Sequence, residues 1–281
     1  MSQEIISIKN LSVSMGRKRV LDNIDIKFER GESVVIAGRN GSGKSTFLRC
    51  LANVILPDRG QIIFSNGIAK DKIGFISDRL SLFEDSTVQQ GINFHSSVFG
   101  IEDFDYSLVN ELKLELNQKI KRLSMGQRTL FQLSLLLSQK PEILLVDEII
   151  HTIDPYIREK FLETVIDLMG SSQATVIMVN HTFSEIEKIP ERVLVMEKGQ
   201  FILDERTESL SGKIKKVESD TQIPESIPCI FKRESDFFKE YFIYPFDEGI
   251  RKKFSYEYKE INLNEMIKAF VGGQYVKERN H

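Results

Sequence analysis

The sequence predicts an α/β fold built on a parallel sheet. Three observations carry that reading: apolar strand-like runs without polar alternation, helical stretches between them, and a glycine-rich turn joining the first such run to a helix. Ser33 to Ala37, with Val34, Val35, Ile36 and Ala37 in succession, reads as a strand covered on both faces. Lys44 to Asn53 reads as the helix that follows. Similar apolar runs recur at Ile143 to Val146, Ala174 to Val179 and Val193 to Met196, with a helix from about Pro155 to Met169 between the first two. Asp154 before Pro155 is a suitable start for that helix, an N-cap carboxylate followed by proline at the first helical position.

The flanking segments are of other kinds. Ile5 to Ile8 and the alternating Ile24 to Phe28 predict β structure ahead of the sheet. From about Leu80 to Lys140 the pattern is helical, punctuated by Gly91 and Gly100, with Leu130, Leu133 and Leu137 at helical spacing and Pro141 closing the block. Beyond about Ser209 a polar linker with Gly212, Lys213, Lys215 and Lys216 leads into a Phe- and Tyr-rich segment from Ile227 to Tyr275. There Leu263, Met266, Ile267 and Phe270 lie at i, i+3, i+4 and i+7, the spacing of a helix that docks by one face.

Composition narrows the function classes. The chain has 281 residues, 41% hydrophobic and 28% charged, which suits one large core and a small appendage. With 38 basic and 41 acidic residues the net charge is -3, so the positive field that holds nucleic acid is missing and no nucleic-acid partner is expected. Cys50 and Cys229 are far apart and outside any CxxC or Cys/His cluster, which suits a reducing compartment, the cytoplasm by default. No uncharged apolar run approaches the ~20 residues of a spanning helix, so a role at a membrane would need another chain to cross it.

The chemistry begins at Gly38-Arg39-Asn40-Gly41-Ser42-Gly43-Lys44-Ser45-Thr46, a GxxxxGK[ST] phosphate loop placed after a buried strand and before a helix. Its glycines let backbone N–H groups turn toward phosphates, and the helix start adds partial positive charge. Lys44 is the candidate contact to the β- and γ-phosphates of ATP and Ser45 a candidate Mg²⁺ ligand. Ile143-Leu144-Leu145-Val146-Asp147-Glu148 ends an apolar strand in two carboxylates. Asp147 suits the Mg²⁺ shell, and Glu148, one residue on and pointing elsewhere, is a candidate general base for an attacking water.

Leu123-Ser124-Met125-Gly126-Gln127 lies between these two motifs and resembles the LSxGQ signature of ABC ATPases. The same residues have the S-x-x-Q spacing of a capping box opening a helix, and both readings can hold at once. The resemblance covers about residues 4 to 208 and implies a phosphate-loop NTPase of the ABC type, with a helical subdomain at about 80–140 and an accessory segment at 209–281. It implies that Ser124, Met125, Gly126 and Gln127 press on ATP held by a second subunit, most simply another copy of this chain. By position in the series it also implies a D-loop aspartate at Asp154, a switch histidine touching the γ-phosphate at His181, and a strand into the Q-loop at Ile73 to Asp78.

The chain departs from the family pattern at several points. Asp78 stands where the pattern has Gln, which makes it a candidate Mg²⁺ ligand that adds negative charge. Met15 stands where an aromatic residue usually stacks on adenine. Ile149-Ile150 replaces Pro-Thr, and Thr152 replaces the D-loop glycine. The ending from Glu260 to Gly273 looks like that of exporter ATPases whose membrane domains are separate chains. The resemblance therefore implies an ATP-hydrolysing transporter subunit, an exporter by its ending, on the inner face of the cell membrane beside permease chains. The alternatives are a soluble ABC ATPase that clamps a macromolecule, and a weakly active ABC subunit.

Overall fold

The computed structural model describes residues 3–65, 68–77, 83–150, 153–180, 189–234 and 239–272. Strands β1 (Glu4–Met15) and β2 (Lys18–Glu29) form a hairpin, and β3 (Ser33–Ala37) leads into helix α1 (Lys44–Leu51). Next come β4 (Arg59–Phe64) and β5 (Ile73–Ser77), then helices α2 (Val88–Phe99), α3 (Ser107–Glu111) and α4 (Met125–Ser138). Strand β6 (Ile143–Asp147), helix α5 (Pro155–Ser172) and strands β7 (Thr175–Val179), β8 (Arg192–Glu197) and β9 (Gln200–Arg206) complete the central part. Helix α6 (Thr207–Lys213), strands β10 (Lys215–Ser219), β11 (Cys229–Glu234) and β12 (Lys239–Ile243), and helices α7 (Glu248–Lys253) and α8 (Leu263–Gly272) follow.

The central sheet has the order β5-β6-β7-β3-β8-β9, parallel throughout except for the β9 edge. Side chains alternate across a strand, so each apolar run splits between two cores. Val34 and Ile36 of β3, with Leu145, Ile177 and Leu194, face α1 and the antiparallel β2-β1-β4 sheet. Val35 and Ala37, with Leu144, Val146, Val176 and Val193, face the other way, into a core shared with α4, α5 and α8. Coverage on both faces is what uninterrupted apolarity requires, and every residue of β3, β6 and β7 is buried.

Helix starts follow the capping chemistry. Ser124 Oγ accepts from Gln127 N–H at 3.1 Å while Ser124 N–H donates to Gln127 Oε1 at 3.0 Å, a reciprocal box at the head of α4. Asp154 Oδ1 accepts from Ile157 N–H at 3.1 Å ahead of Pro155. The structure corrects one expected breaker: Gly91 lies inside α2, and only Gly100 ends it, with φ 64. A Cβ on Gly91 would stand 3.2 Å from Ile120 Cδ1 and 3.3 Å from Phe131 Cζ, so close packing explains the glycine.

The expected polar linker is likewise structured, as the C-terminal end of α6 and the start of β10. Lys215 is buried there, its ammonium donating to Ser211 O at 3.0 Å and to the Glu260 carboxylate at 2.5 Å. A charge so paired can leave water, which composition alone did not reveal. The amphipathic spacing near the end was well founded: Leu263, Met266, Ile267 and Phe270 of α8 are all buried, in the same core that covers the central sheet.

His95 on α2 sits against Phe99, and Gln139 Nε2–H donates to its Nε2. Burial lowers the pKa of this imidazole below its ordinary value. The unfolded chain then binds the extra proton first as pH falls, so stability present above the ordinary value near ~6.5 is lost as pH drops toward the lowered one. Urea unfolding at several pH values should show this acid-side loss in the wild type and a smaller loss in His95→Gln.

Candidate functional site

The site forms at the carboxyl ends of the parallel strands, where α/β sheets bind ligands. The phosphate loop leaves β3 at Gly38, whose φ of 150° belongs to glycine; a Cβ there would meet Met196 O at 2.3 Å and Ser42 Oγ at 2.8 Å. Two strands over, β6 delivers Asp147, which is paired in register with Ser77 of β5 and with Val179 of β7. Glu148 then takes a positive φ of 53°, a strained value for a residue with a side chain, while its N–H donates to Val179 O at 3.1 Å. That turn separates the two adjacent carboxylates.

Lys44 is 3% exposed. Its ammonium donates to Gly38 O at 2.9 Å and Arg39 O at 3.1 Å, and lies 3.7 Å from Glu148 Oε1. Burial pushes its pKa below the ordinary lysine value, and the nearby Glu148 and Asp147 carboxylates oppose that shift. Ser45 Oγ donates to Asp147 Oδ1 at 2.8 Å. Arg49, one turn along α1 from Ser45, brings Nη2 to 3.8 Å from Asp147 Oδ2. The result is a cation, a hydroxyl and two carboxylates around a cavity of about 220 Å³, lined by Asn40, Gly41 and Gly43 to Thr46, with Val20 and Glu148. The arrangement offers backbone N–H groups and a buried ammonium to phosphates, and hard oxygen donors to a divalent cation.

The other candidates fall in distinct places. Arg39 and Ser42 line an adjoining cavity of about 420 Å³ with Lys18, Arg19 and Lys198. Met15 lies at the tip of the β1–β2 hairpin, 48% exposed, and lines neither cavity. Ser124, Met125, Gly126 and Gln127 open α4 and contribute nothing to the phosphate cavity of their own chain. Asp154 caps α5. Asp78 and His181 lie outside the described residues. Arg49 and Val20 were missed from the sequence; for Arg49 a signal existed, its i+4 spacing from Ser45 on one helix face.

Gly126 has a packing role besides its place in the signature. A Cβ on it would stand 2.9 Å from Ile157 Cγ1 and 3.0 Å from Ile157 Cγ2, so α4 can approach α5 only with glycine here. These atoms sit close to the α5 backbone and have little room to yield. Gly126→Ala should destabilise the chain by about 1–3 kcal/mol in urea unfolding, despite alanine's better helix propensity.

A family profile described as ABC transporter matches residues 21–151. The chain is 31% identical over 211 residues to a probable sulfate/thiosulfate import ATP-binding protein CysA of Chlorella vulgaris, covering 70% of this chain and 89% of that relative. It is 27% identical over 215 residues to the linearmycin resistance ATP-binding protein LnrL of Bacillus subtilis, covering 70% of this chain and 68% of that one. Among solved structures, the dimeric post-hydrolysis state of the ATP-binding cassette MJ0796 bound to ADP and Pi matches with a TM-score of 0.61 at 23% identity, over 72% of this chain and 98% of that one. With a phosphate loop, an acidic strand end and a capped signature helix in that order, and with most of a named relative matched, the chain belongs to the ABC transporter ATP-binding proteins and is an ATPase.

Proposed function

We propose that two copies of this chain close around two ATP molecules and transmit that closure to membrane-spanning permease chains on the inner face of the cell membrane. The observation that carries the reading is the composition of the phosphate cavity. Lys44, Ser45 and Glu148 line it with Asp147 beside them, whereas Ser124 to Gln127 do not, so a single chain leaves its capped helix start unused. A second copy would bring that start, with its outward N–H groups, to the γ-phosphate. The dimeric MJ0796 cassette is consistent with such a pairing.

In this reading Lys44 and the N–H groups of Gly38 to Thr46 hold the phosphates, Glu148 takes a proton from water, and His181 supports the γ-phosphate. Ser45 and Asp147, and Asp78 on the sequence reading, are the groups that would hold Mg²⁺, a cation satisfied by one or two carboxylates plus substrate oxygens. When bound it would neutralise charge developing on the phosphates. Asp154 belongs to the contact between copies. Ile149 and Ile150, where the family has Pro-Thr, are buried in the core, which supports a strand end that stays in place despite the change.

The contact to the permease is assigned to Gln89–Gly100. Phe94 and Val98 of α2 are more than half exposed, and Phe94 meets the exposed Phe83 edge to face at 5.0 Å. An apolar patch on a helix is a docking surface in search of a partner. Among the described residues no helix is long and apolar enough to cross a membrane, which supports a separate spanning chain. Residues 1–208 are taken as the ATPase and 209–281 as an accessory segment. Export, suggested by the ending from Glu260, draws no support from the relatives, one named for import and another for resistance, so the proposal is of transport without a direction.

Glu148→Gln tests the reading. It is expected to bind ATP, to sediment as a dimer only with ATP, and to lose hydrolysis by about 10²-fold or more, within the range of general-base loss. Undiminished hydrolysis, or a monomer at saturating ATP, would overturn it.

A further inference from the structure

The accessory segment meets the ATPase beside the phosphate loop and encloses a second cavity there, of about 300 Å³ and mainly apolar in its lining. Phe231 of β11 and Ile267 of α8 form its apolar wall, and Arg233 and Lys268 stand on the same two elements. The opposite side is made by Gly38, the first residue of the phosphate loop, and by Asn180, which follows β7. We propose that this cavity binds a small water-soluble organic anion with an apolar body, and that occupancy alters ATP hydrolysis through Gly38 and Asn180.

The chemistry of the lining fixes the class of ligand. Small-molecule sites are mostly apolar with a few polar groups that set orientation, and here the two charged side chains, Arg233 and Lys268, are both cations beside the neutral Asn180. Arg233 Nη1 donates to Glu240 Oε2 at 2.9 Å, but Glu240 Oε1 also lies 3.2 Å from Lys216, so that one carboxylate serves two cations. Glu265, one turn before Lys268 on α8, lies 3.9 Å from the same Lys216. Lys268 has no ion-pair or hydrogen-bond partner among the described residues and is exposed. Lys216 also pairs with Glu218 at 3.2 Å, and Glu218 with Lys259 at 2.7 Å, so the charge left over at the rim is that of Lys268, which suits an anionic group with its apolar body against Phe231 and Ile267. A neutral apolar molecule would leave both cations unused, and a larger anion such as a polynucleotide would not enter.

The opposite wall explains why occupancy would be felt at the ATPase site. Gly38 O accepts from the Lys44 ammonium at 2.9 Å, so pressure on Gly38 reaches the lysine that faces the phosphates. Asn180 continues the strand whose Val179 O fixes the Glu148 turn. Both contacts are to backbone segments that carry phosphate-site groups: Gly38 opens the loop whose N–H groups hold the phosphates, and Asn180 follows the strand beside Glu148.

The test uses the full chain and octanoate as probe. Calorimetry should show one octanoate per chain, with 1-octanol roughly tenfold or more weaker, as expected for loss of a charge-assisted contact. Lys268→Gln, at an exposed side chain with no hydrogen-bond or ion-pair partner among the described residues, and Arg233→Gln/Lys268→Gln should weaken octanoate by a similar factor or more while basal ATP hydrolysis stays at the wild-type rate. Saturating octanoate should change wild-type hydrolysis by about twofold or more and leave the double variant unmoved, a coupling of ordinary size. The proposal is overturned if octanoate does not bind, if octanol binds as well, if the variants bind octanoate like wild type, or if hydrolysis does not respond. Binding to phosphatidylglycerol vesicles without binding to free octanoate would also overturn it, because the source would then be a lipid surface.

Discussion

Withdrawing the Lys44 ammonium from water costs several kcal/mol unless oxygen atoms replace its hydration. Here those atoms are the carbonyls of Gly38 and Arg39, with Glu148 close by, and each depends on a different part of the fold. The carbonyls need the loop to turn back on itself, which Gly38 permits. Glu148 needs β6 to end beside β7 and then kink through a positive φ. Ser45 needs α1 to begin immediately after the loop so that its hydroxyl reaches Asp147. The parallel sheet, covered on both faces, holds all of these ends level.

The same sheet explains why the chain beyond α6 is not a loose addition. Its second face is only partly covered by α4 and α5, and α8 supplies further cover with Met266, Ile267 and Phe270. The three-stranded β10-β12-β11 sheet meets that helix through β11 and shares the core through Ile230 and Phe242. Its own smaller core is formed by Val217, Ile227, Tyr241, Ile243 and Phe246. The segment is therefore anchored by ordinary apolar burial, and its cations stand at the rim, where the phosphate loop is within reach.

Much of this was legible in the sequence because it rests on local rules. Ser33–Ala37 occurs with the bounds expected, since an uninterrupted apolar run has one stable use in a covered parallel sheet. The capping box at Ser124 and Gln127 and the N-cap at Asp154 followed from spacing alone. What failed was non-local. Gly91 reads as a break because its packing partners, Ile120 and Phe131, lie far along the chain. Lys215 reads as linker because its partner Glu260 is distant in sequence. Within the site, the motifs led to Lys44, Ser45, Asp147 and Glu148, whereas Val20 belongs to no motif and Met15 proved to lie outside the cavities.

At the centre stands the proposal that Ser45 and Asp147 would hold the metal in an ATP site whose cationic side is Lys44. Titration of a fluorescent ATP analogue with and without Mg²⁺, in wild type and in Asp147→Asn, tests it most directly. The account predicts that Mg²⁺ tightens nucleotide binding by the wild type and that this gain is lost in the variant, while metal-free binding, carried by Lys44 and the loop, remains. An unchanged Mg²⁺ gain in Asp147→Asn would contradict it.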